Sequence, residues 1–148
     1  MSLLVTLKDA QKDAMRAKDK VRLGAVRSVL AAIKQREIDE RITLDEAAIT
    51  SVIVKLVKQR RDSYTQYKDA GRDDLADVEA AEIAVLEEFL PKPLNEDEIN
   101  QLIDNAIADT GAQGMQDMGK VMGVIKSQAE GRADMGKLSG LIKQRLSA

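Results

Sequence analysis

The sequence contains no cysteine, histidine or tryptophan, and these absences exclude several kinds of chemistry. Without cysteine the chain has no disulfide, no thiolate nucleophile and no thiolate ligand for a metal ion. Without histidine it has neither a Ser-His-Asp triad nor the usual ligand set of a zinc site. We therefore expect no catalytic residues, no cofactor and no bound metal ion.

Aromatic residues are also scarce, at 2% of the chain, and no apolar run approaches the roughly 20 residues that a membrane helix needs. The hydrophobic residues, 44% of the total, are mainly Leu, Ile, Val, Ala and Met, which favours interlocking helices over a β-sandwich. Because cysteine, a signal peptide and a membrane segment are all missing, we expect a cytoplasmic protein without membrane contact.

Charge is unevenly distributed along the chain, although the net charge is only −2. Residues 1–68 contain 15 basic and 9 acidic side chains, residues 69–118 contain 2 and 14, and residues 119–148 contain 6 and 2. This order predicts one of two arrangements. Either the acidic middle pairs with a basic part of the chain, or the basic parts face an external polyanion while the acidic residues form a solvated face.

Helical periodicity predicts two helices in the first forty residues. Ser2 caps a first helix that runs to about Lys18, and Asp19 begins a second that continues to about Glu40. Four apolar residues of the second helix recur at the spacing of a helix packed on one side: Leu23, Val26, Leu30 and Ile33.

Two more helices follow before the first proline. Thr43 and Glu46 have the spacing of a capping box, which predicts the start of a third helix, and Gly71 marks its end. We expect the second and third helices to form a long antiparallel hairpin because the link between them is short. Asp73 or Asp74 then caps a fourth helix.

Residues 91–93, Pro-Lys-Pro, form a short stiff linker to a second group of helices. Asn95 and Glu98 predict a capping box at the start of a fifth helix. Two closing helices follow, with Gly131 at the end of one and Asp134 at the start of the other.

No segment alternates at period two for long enough to predict a strand, so the predicted fold class is all-α. Residues 1–92 are expected to form an N-terminal domain made of the long hairpin and a fourth helix. Residues 93–148 are expected to form a small C-terminal three-helix domain.

Residues 114–121, GMQDMGKV, match the phosphate-loop pattern except at the last position. That position normally supplies a hydroxyl ligand to Mg²⁺, and here it is Val121. A phosphate loop also connects a strand to a helix, whereas this segment follows a predicted helix. We therefore interpret Gly119 and Gly123 as small residues where helix backbones approach closely, and Lys120 as a surface residue.

Two charged groups in the first domain have alternative interpretations. Arg60 and Arg61 precede Tyr64 and Tyr67 by about one turn, a combination that can stack on and neutralise RNA. Equally, Arg60 continues an apolar stripe, so its head group can pair with a glutamate of the fourth helix. Four glutamates there spread around the helix, which favours solvation and ion pairing over an acid/base or metal cluster: Glu79, Glu82, Glu87 and Glu88.

The last thirty residues form a basic module in which cations lie near predicted helix ends, a setting that favours phosphate. Its candidate RNA-binding residues are Lys120, Lys126, Arg132, Lys137 and Lys143. Arg60 and Arg61 are added as candidates from the first domain.

Two stretches, residues 58–99 (KQRRDSYTQYKDAGRDDLADVEAAEIAVLEEFLPKPLNEDEI) and residues 118–146 (MGKVMGVIKSQAEGRADMGKLSGLIKQRL), resemble the GatB/YqeY family, and specifically its stand-alone YqeY-like proteins. The second stretch is similar to the tail of the GatB subunit of aspartyl/glutamyl-tRNA amidotransferase, a glutamine-dependent carbon–nitrogen ligase. In that subunit, the resemblance implies, the tail recognises tRNA while a separate domain performs the chemistry. The family's glycine and basic pattern maps onto Gly119, Lys120, Gly123, Gly131, Arg132, Ala133 and Asp134.

The resemblance implies a non-catalytic, tRNA-associated protein, because this chain has no counterpart of the catalytic domain. One alternative is an auxiliary factor in glutamine-dependent tRNA transamidation. Another is a protein-interaction module that docks onto a tRNA synthetase or an amidotransferase without nucleic acid. The sequence leaves both alternatives open.

Overall fold

The computed structural model describes residues 2–147, and this range consists of helices joined by short loops. No strand occurs within it, so the all-α prediction is confirmed. A short 3₁₀ turn at Met115–Asp117 precedes the sixth helix. The helices are α1 (Leu3–Ala17), α2 (Lys20–Glu40), α3 (Glu46–Asp69), α4 (Asp73–Glu87), α5 (Glu96–Thr110), α6 (Met118–Ala129) and α7 (Met135–Ser147).

Three helices begin at the residue that the sequence predicts, because a short polar side chain there accepts a free amide of the first turn. The Ser2 hydroxyl accepts from the amide of Val5, 3.2 Å away. Asp19 caps α2, and the Asn95 side chain accepts from the amide of Glu98 at 2.8 Å. The caps at Ser2, Asp19 and Asn95 are therefore confirmed, while the second half of the box predicted for Asn95 and Glu98 stays a prediction.

The predicted capping box at Thr43 is wrong. Asp45 caps α3 instead, and its carboxylate accepts from the amide of Ala48 at 2.8 Å. Glu46 does not reach back along the chain but accepts from the amide of Leu3, at 2.9 Å, in the first turn of α1. A contact between residues far apart in sequence therefore replaces the local one.

The cap predicted at Asp73 or Asp74 is also wrong, because both residues lie inside the first turn of α4 and Arg72 precedes them without a capping hydrogen bond. Each aspartate binds a neighbouring cation instead. The hydrogen bond from Lys68 to Asp73, 3.3 Å long, raises the pKa of Lys68. The hydrogen bond that Asp74 accepts from Arg72 lowers the pKa of Asp74.

The chain divides after Leu90 into two compact units. The domain boundary after Lys92 stays a prediction. The first unit contains α1 to α4 around one apolar core, whose fully buried members include Leu7, Val29, Ile53 and Leu86.

Within the first unit, the predicted pairing of α2 with α3 is not the main helix contact. α3 packs chiefly along α4, while α2 packs on α1 and α4. The buried face of α2 also differs from the predicted stripe, because Ala25 and Val29 are buried while Leu23 and Leu30 are half-buried. The short loop brings α2 and α3 together, but the larger interfaces lie elsewhere.

The second unit contains α5, α6 and α7 around a separate core. Its buried members come from one face of each helix: Ile103 and Ala106 from α5, Val121, Ile125 and Ala129 from α6, and Leu138, Ile142 and Leu146 from α7. Among the helices of residues 2–147, none is long and apolar enough to cross a membrane.

We expect Leu86→Ala to lower the free energy of unfolding of the first unit by about 2–5 kcal/mol, since Leu86 is fully buried and its loss leaves a cavity. Val78→Ala on the same helix is the matched control, because Val78 is 46% exposed. Its effect should stay within about 0.5 kcal/mol. Differential scanning calorimetry of both variants tests the prediction, and equal effects would contradict the assignment of Leu86 to the core.

Candidate nucleic-acid interface

Arg60, a candidate RNA ligand, is held inside the first unit by side chains from two other helices. Its guanidinium pairs with Glu82, lies 3.7 Å from Glu79 and donates to the Ser28 hydroxyl at 3.0 Å. The side chain of Arg60 is only 18% exposed. For Arg60, the structure therefore shows the predicted ion pair with a glutamate of α4. Tyr64, one turn later, is half-buried.

Glu87 at the end of α4 and Glu88 just after it also pair with arginines, in more exposed positions. Arg61 pairs with Glu87, and Arg22 pairs with Glu88 while its guanidinium lies 5.8 Å from the centre of the Phe89 ring. Residues 2–147 contain no group of three or more Asp and Glu side chains arranged to hold a metal ion. The glutamates in and beside α4 thus pair with arginines of α2 and α3, as the first of the two charge arrangements predicts for this part of the acidic middle.

Arginines of the second unit are likewise engaged within it. Arg132 donates to the carbonyl oxygen of Lys92 at 2.9 Å and lies 3.6 Å from the Glu98 carboxylate. The backbone carbonyl of Arg132 also accepts from the amide of Leu94 at 2.8 Å. Arg132 therefore fastens the segment before α5 to the loop between α6 and α7.

Arg145 binds α5 through two side chains. It pairs with Asp104, and it donates to the side-chain oxygen of Asn100 at 3.2 Å. The arginine therefore stabilises the contact between α7 and α5. It is not among the RNA-binding residues that the sequence predicts.

The four lysines of α6 and α7 behave differently from the arginines. All four are exposed on the outer sides of their helices, and they are Lys120, Lys126, Lys137 and Lys143. Lys120 lies 4.0 Å from the Asp117 carboxylate. The ammonium groups of the other three extend from exposed helical positions. These exposed lysines are the cations of the candidate site that an anionic ligand can contact.

Net charge does not make the second unit basic. Residues 91–148 contain seven Lys and Arg and eight Asp and Glu. The acidic residues are concentrated before residue 118, chiefly on α5, whereas the lysines lie on α6 and α7. The second unit therefore separates its charges: α5 is mainly acidic, and α6 and α7 carry the lysines.

The segment that resembles a phosphate loop does not cradle an anion. Residues 115–117 form a 3₁₀ turn after α5, so no strand precedes it, and Gly119 and Lys120 belong to the first turn of α6. Within the loop, the Asp117 carboxylate accepts from the amide of Gln113 at 3.0 Å. A carboxylate at this position opposes phosphate binding, which agrees with the rejection of a nucleotide site from the sequence.

The interpretation of Gly119 and Gly123 as helix-packing residues is wrong. Both are exposed, and a Cβ atom added at either position would meet nothing within 4 Å. Gly131, by contrast, has φ +79°, a backbone conformation that favours glycine. Asp134 accepts from the amides of Gly136 (2.8 Å) and Lys137 (3.3 Å), as the N-cap of α7 does.

Sequence reasoning missed an internal repeat that the structure makes evident. Residues 118–126, MGKVMGVIK, and residues 135–143, MGKLSGLIK, share Met, Gly, Lys, Gly, Ile and Lys at matching positions. Both copies are helical, and each begins its helix. A comparison of the chain with itself would have found the repeat from the sequence.

Comparison with known proteins identifies what the chain is similar to. A family model described as Yqey-like protein matches residues 4–146. Curated relatives share the name "Altered inheritance of mitochondria protein 41, mitochondrial". The protein of Kluyveromyces lactis is 41% identical over 87 residues, which cover 58% of this chain and 47% of the relative. The protein of Saccharomyces cerevisiae is 31% identical over 126 residues, covering 80% and 68%.

These comparisons correct the expected cellular location and show how much of its relatives the chain matches. The expected cytoplasmic location is wrong, because the relatives are named as mitochondrial proteins. It was inferred from missing cysteine and missing apolar segments, and neither feature distinguishes the cytosol from an organelle. The chain also spans only about half the length of the first curated relatives that it matches.

We expect Gly123→Ala to raise the free energy of unfolding by up to about 1 kcal/mol, because alanine has the higher helix propensity and the position is open. Gly131→Ala should lower it by about 1–2 kcal/mol, since an L side chain is strained at positive φ. Urea denaturation followed by circular dichroism measures both. A loss of stability in Gly123→Ala would mean that the glycine has a packing role inside the unit.

We expect Arg60→Gln to lower the free energy of unfolding by about 1–3 kcal/mol, because Glu79 and Glu82 lose the cation that they share. Arg61→Gln is the control, since the Arg61 and Glu87 side chains are 62% and 44% exposed and such pairs contribute about 0–1 kcal/mol. Chemical denaturation of the two variants distinguishes the roles. Equal losses of stability in the two variants would show that Arg60 contributes no more to the stability of the first unit than Arg61 does.

Proposed function

Because the chain belongs to the YqeY-like protein family, whose model matches residues 4–146, we propose that it is a non-catalytic protein that contacts tRNA through α6 and α7. The proposal takes the RNA partner from the resemblance of the last thirty residues to the tail of the GatB subunit of the tRNA-dependent amidotransferase. It takes the contact surface from the positions of the cations in the second unit.

One observation carries the proposal: the lysines of α6 and α7 are exposed and do not tie their helices to α5, whereas the neighbouring arginines are engaged in ion pairs with α5. Arg132 and Arg145 are held by Glu98 and Asp104 and tie α5 to the rest of the unit. Lys126, in contrast, extends from an exposed position on the helix. A polyanion that meets this surface gains attraction from exposed ammonium groups without displacing an arginine that joins two elements of the unit.

We propose no catalytic role because the side chains that were candidates for acid/base chemistry are engaged in ion pairs. The glutamates of α4, which were the strongest candidates for acid/base chemistry, form ion pairs with Arg22, Arg60 and Arg61. A carboxylate whose oxygen is engaged by a guanidinium is poorly placed to contact a substrate. The unit that carries the exposed lysines has its buried positions filled by apolar side chains.

A charge-reversal variant tests the proposal. Replacing Lys120, Lys126, Lys137 and Lys143 with glutamate should weaken binding to unfractionated tRNA at least roughly tenfold at low salt. For the unmodified chain, the logarithm of the dissociation constant should rise with the logarithm of salt concentration with a slope of about 3, and this slope should fall in the variant. Filter binding at several salt concentrations measures both quantities.

The matched control carries the same change of charge in the first unit, at four lysines that are also exposed: Lys8, Lys12, Lys34 and Lys58. Arg132 is left intact in both variants because its removal would disturb the loop that it holds. Circular dichroism should show the same helix content in all three proteins. Equal weakening by the two variants would refute the location of the site, and no binding by the unmodified chain would refute the function itself.

A further inference from the structure

The internal repeat gives α6 and α7 the same inner face. Buried positions coincide between the copies: Val121 with Leu138, Ile125 with Ile142, and Ala129 with Leu146. All of these side chains belong to the apolar core of the second unit. The core therefore accounts for the repeated apolar residues and for nothing else in the repeat.

The outer face of each copy carries an exposed lysine one residue beyond the first glycine and a second exposed lysine further along. These are Lys120 and Lys126 in α6, and Lys137 and Lys143 in α7. Of the four, Lys120 is the one with a carboxylate of residues 2–147 as near as 4.0 Å. Cations repeated at equivalent exposed positions are not required by the fold, because a long polar side chain of either sign is soluble there.

Exposed glycines accompany the lysines in both copies. Gly123 and Gly140 lie at equivalent positions, and a Cβ atom at either one would meet nothing within 4 Å. Each comes three residues before the second lysine of its copy, so the two lie on the same side of the helix. The missing side chains leave the helix backbone open beside an ammonium group, which suits a charged chain that lies along the helix.

We propose that α6 and α7 are two equivalent contacts for one RNA, each binding the phosphate backbone through its own pair of lysines. This inference rests on the proposed function and deepens it: the second unit holds the RNA at two places by the same chemistry. The ligand recognised is the sugar–phosphate backbone rather than a base, because the lysines offer charge and no fixed planar hydrogen-bonding geometry. The amides at the start of α7 are not part of the contact, since Asp134 accepts from them.

Two equivalent contacts have a measurable consequence. Lys126→Ala and Lys143→Ala should weaken binding to unfractionated tRNA by similar factors, roughly two- to tenfold each, and the double variant by about the product. Each substitution should also reduce the slope of the logarithm of the dissociation constant against the logarithm of salt concentration by about 0.7–0.9, the value for one phosphate contact. Lys58→Ala, a substitution at an exposed lysine of the first unit, should change neither quantity.

Substitutions of the glycines give a second test. If the glycines had a purely structural role, replacing them would not weaken tRNA binding. Gly123→Ala and Gly140→Ala should each raise the melting temperature, because alanine favours the helix, yet weaken tRNA binding, because a methyl group now lies where the backbone was open. Gly24→Ala is the control. Gly24 is an exposed, uncrowded helical glycine of the first unit, so its replacement should raise stability and leave binding unchanged.

The outcomes separate the two proposals. If the unmodified chain binds no tRNA at low salt, the proposed function and this inference both fail. If tRNA is bound but the loss is confined to substitutions in one of the two helices, the inference of two equivalent contacts is overturned while the proposed function stands. Similar losses in both copies, with a reduced salt slope for each, support the inference.

Discussion

The packing of α4 on the rest of the first unit depends on the guanidinium of Arg60. This side chain joins three helices, because it extends from α3 to Ser28 of α2 and to Glu79 and Glu82 of α4. Two carboxylates close to one another and largely out of water repel each other unless a cation lies between them. α4 can therefore place its acidic side on the hairpin only because α3 presents an arginine there.

The ion pairs that join distant elements of this chain are made by arginines. Arg22, Arg60 and Arg61 hold α4 in the first unit, and Arg132 and Arg145 hold α5 in the second. Each bridges elements distant in sequence, a task that suits a planar group with several fixed donors. The basic residues that remain exposed on α6 and α7 are all lysines apart from Arg145. Net charge along the sequence consequently overstates what is available to a ligand.

Several helix caps were predictable from local sequence, whereas among the contacts between distant residues only the pairing of Arg60 with the fourth helix was anticipated. The caps at Ser2, Asp19 and Asn95 follow from side chains that accept from amides three residues away. At α3, Thr43 and Asp45 are both suitable caps, and the choice depends on Glu46, whose carboxylate is occupied 43 residues away at Leu3. For the site, the lysines could be identified from the sequence, but the engagement of Arg132 could not, since it depends on a loop carbonyl.

Glycine shows why the same residue type supports opposite interpretations. At Gly131 the backbone requires it, with φ +79°. At Gly123 and Gly140 the backbone is helical and uncrowded, so each glycine costs the unit about 1 kcal/mol relative to alanine without any compensating contact in the described chain. A unit of this size has only a few kcal/mol of net stability. A cost of that size at equivalent positions of two helices is therefore more simply explained by what approaches the outer surface than by the packing of the core.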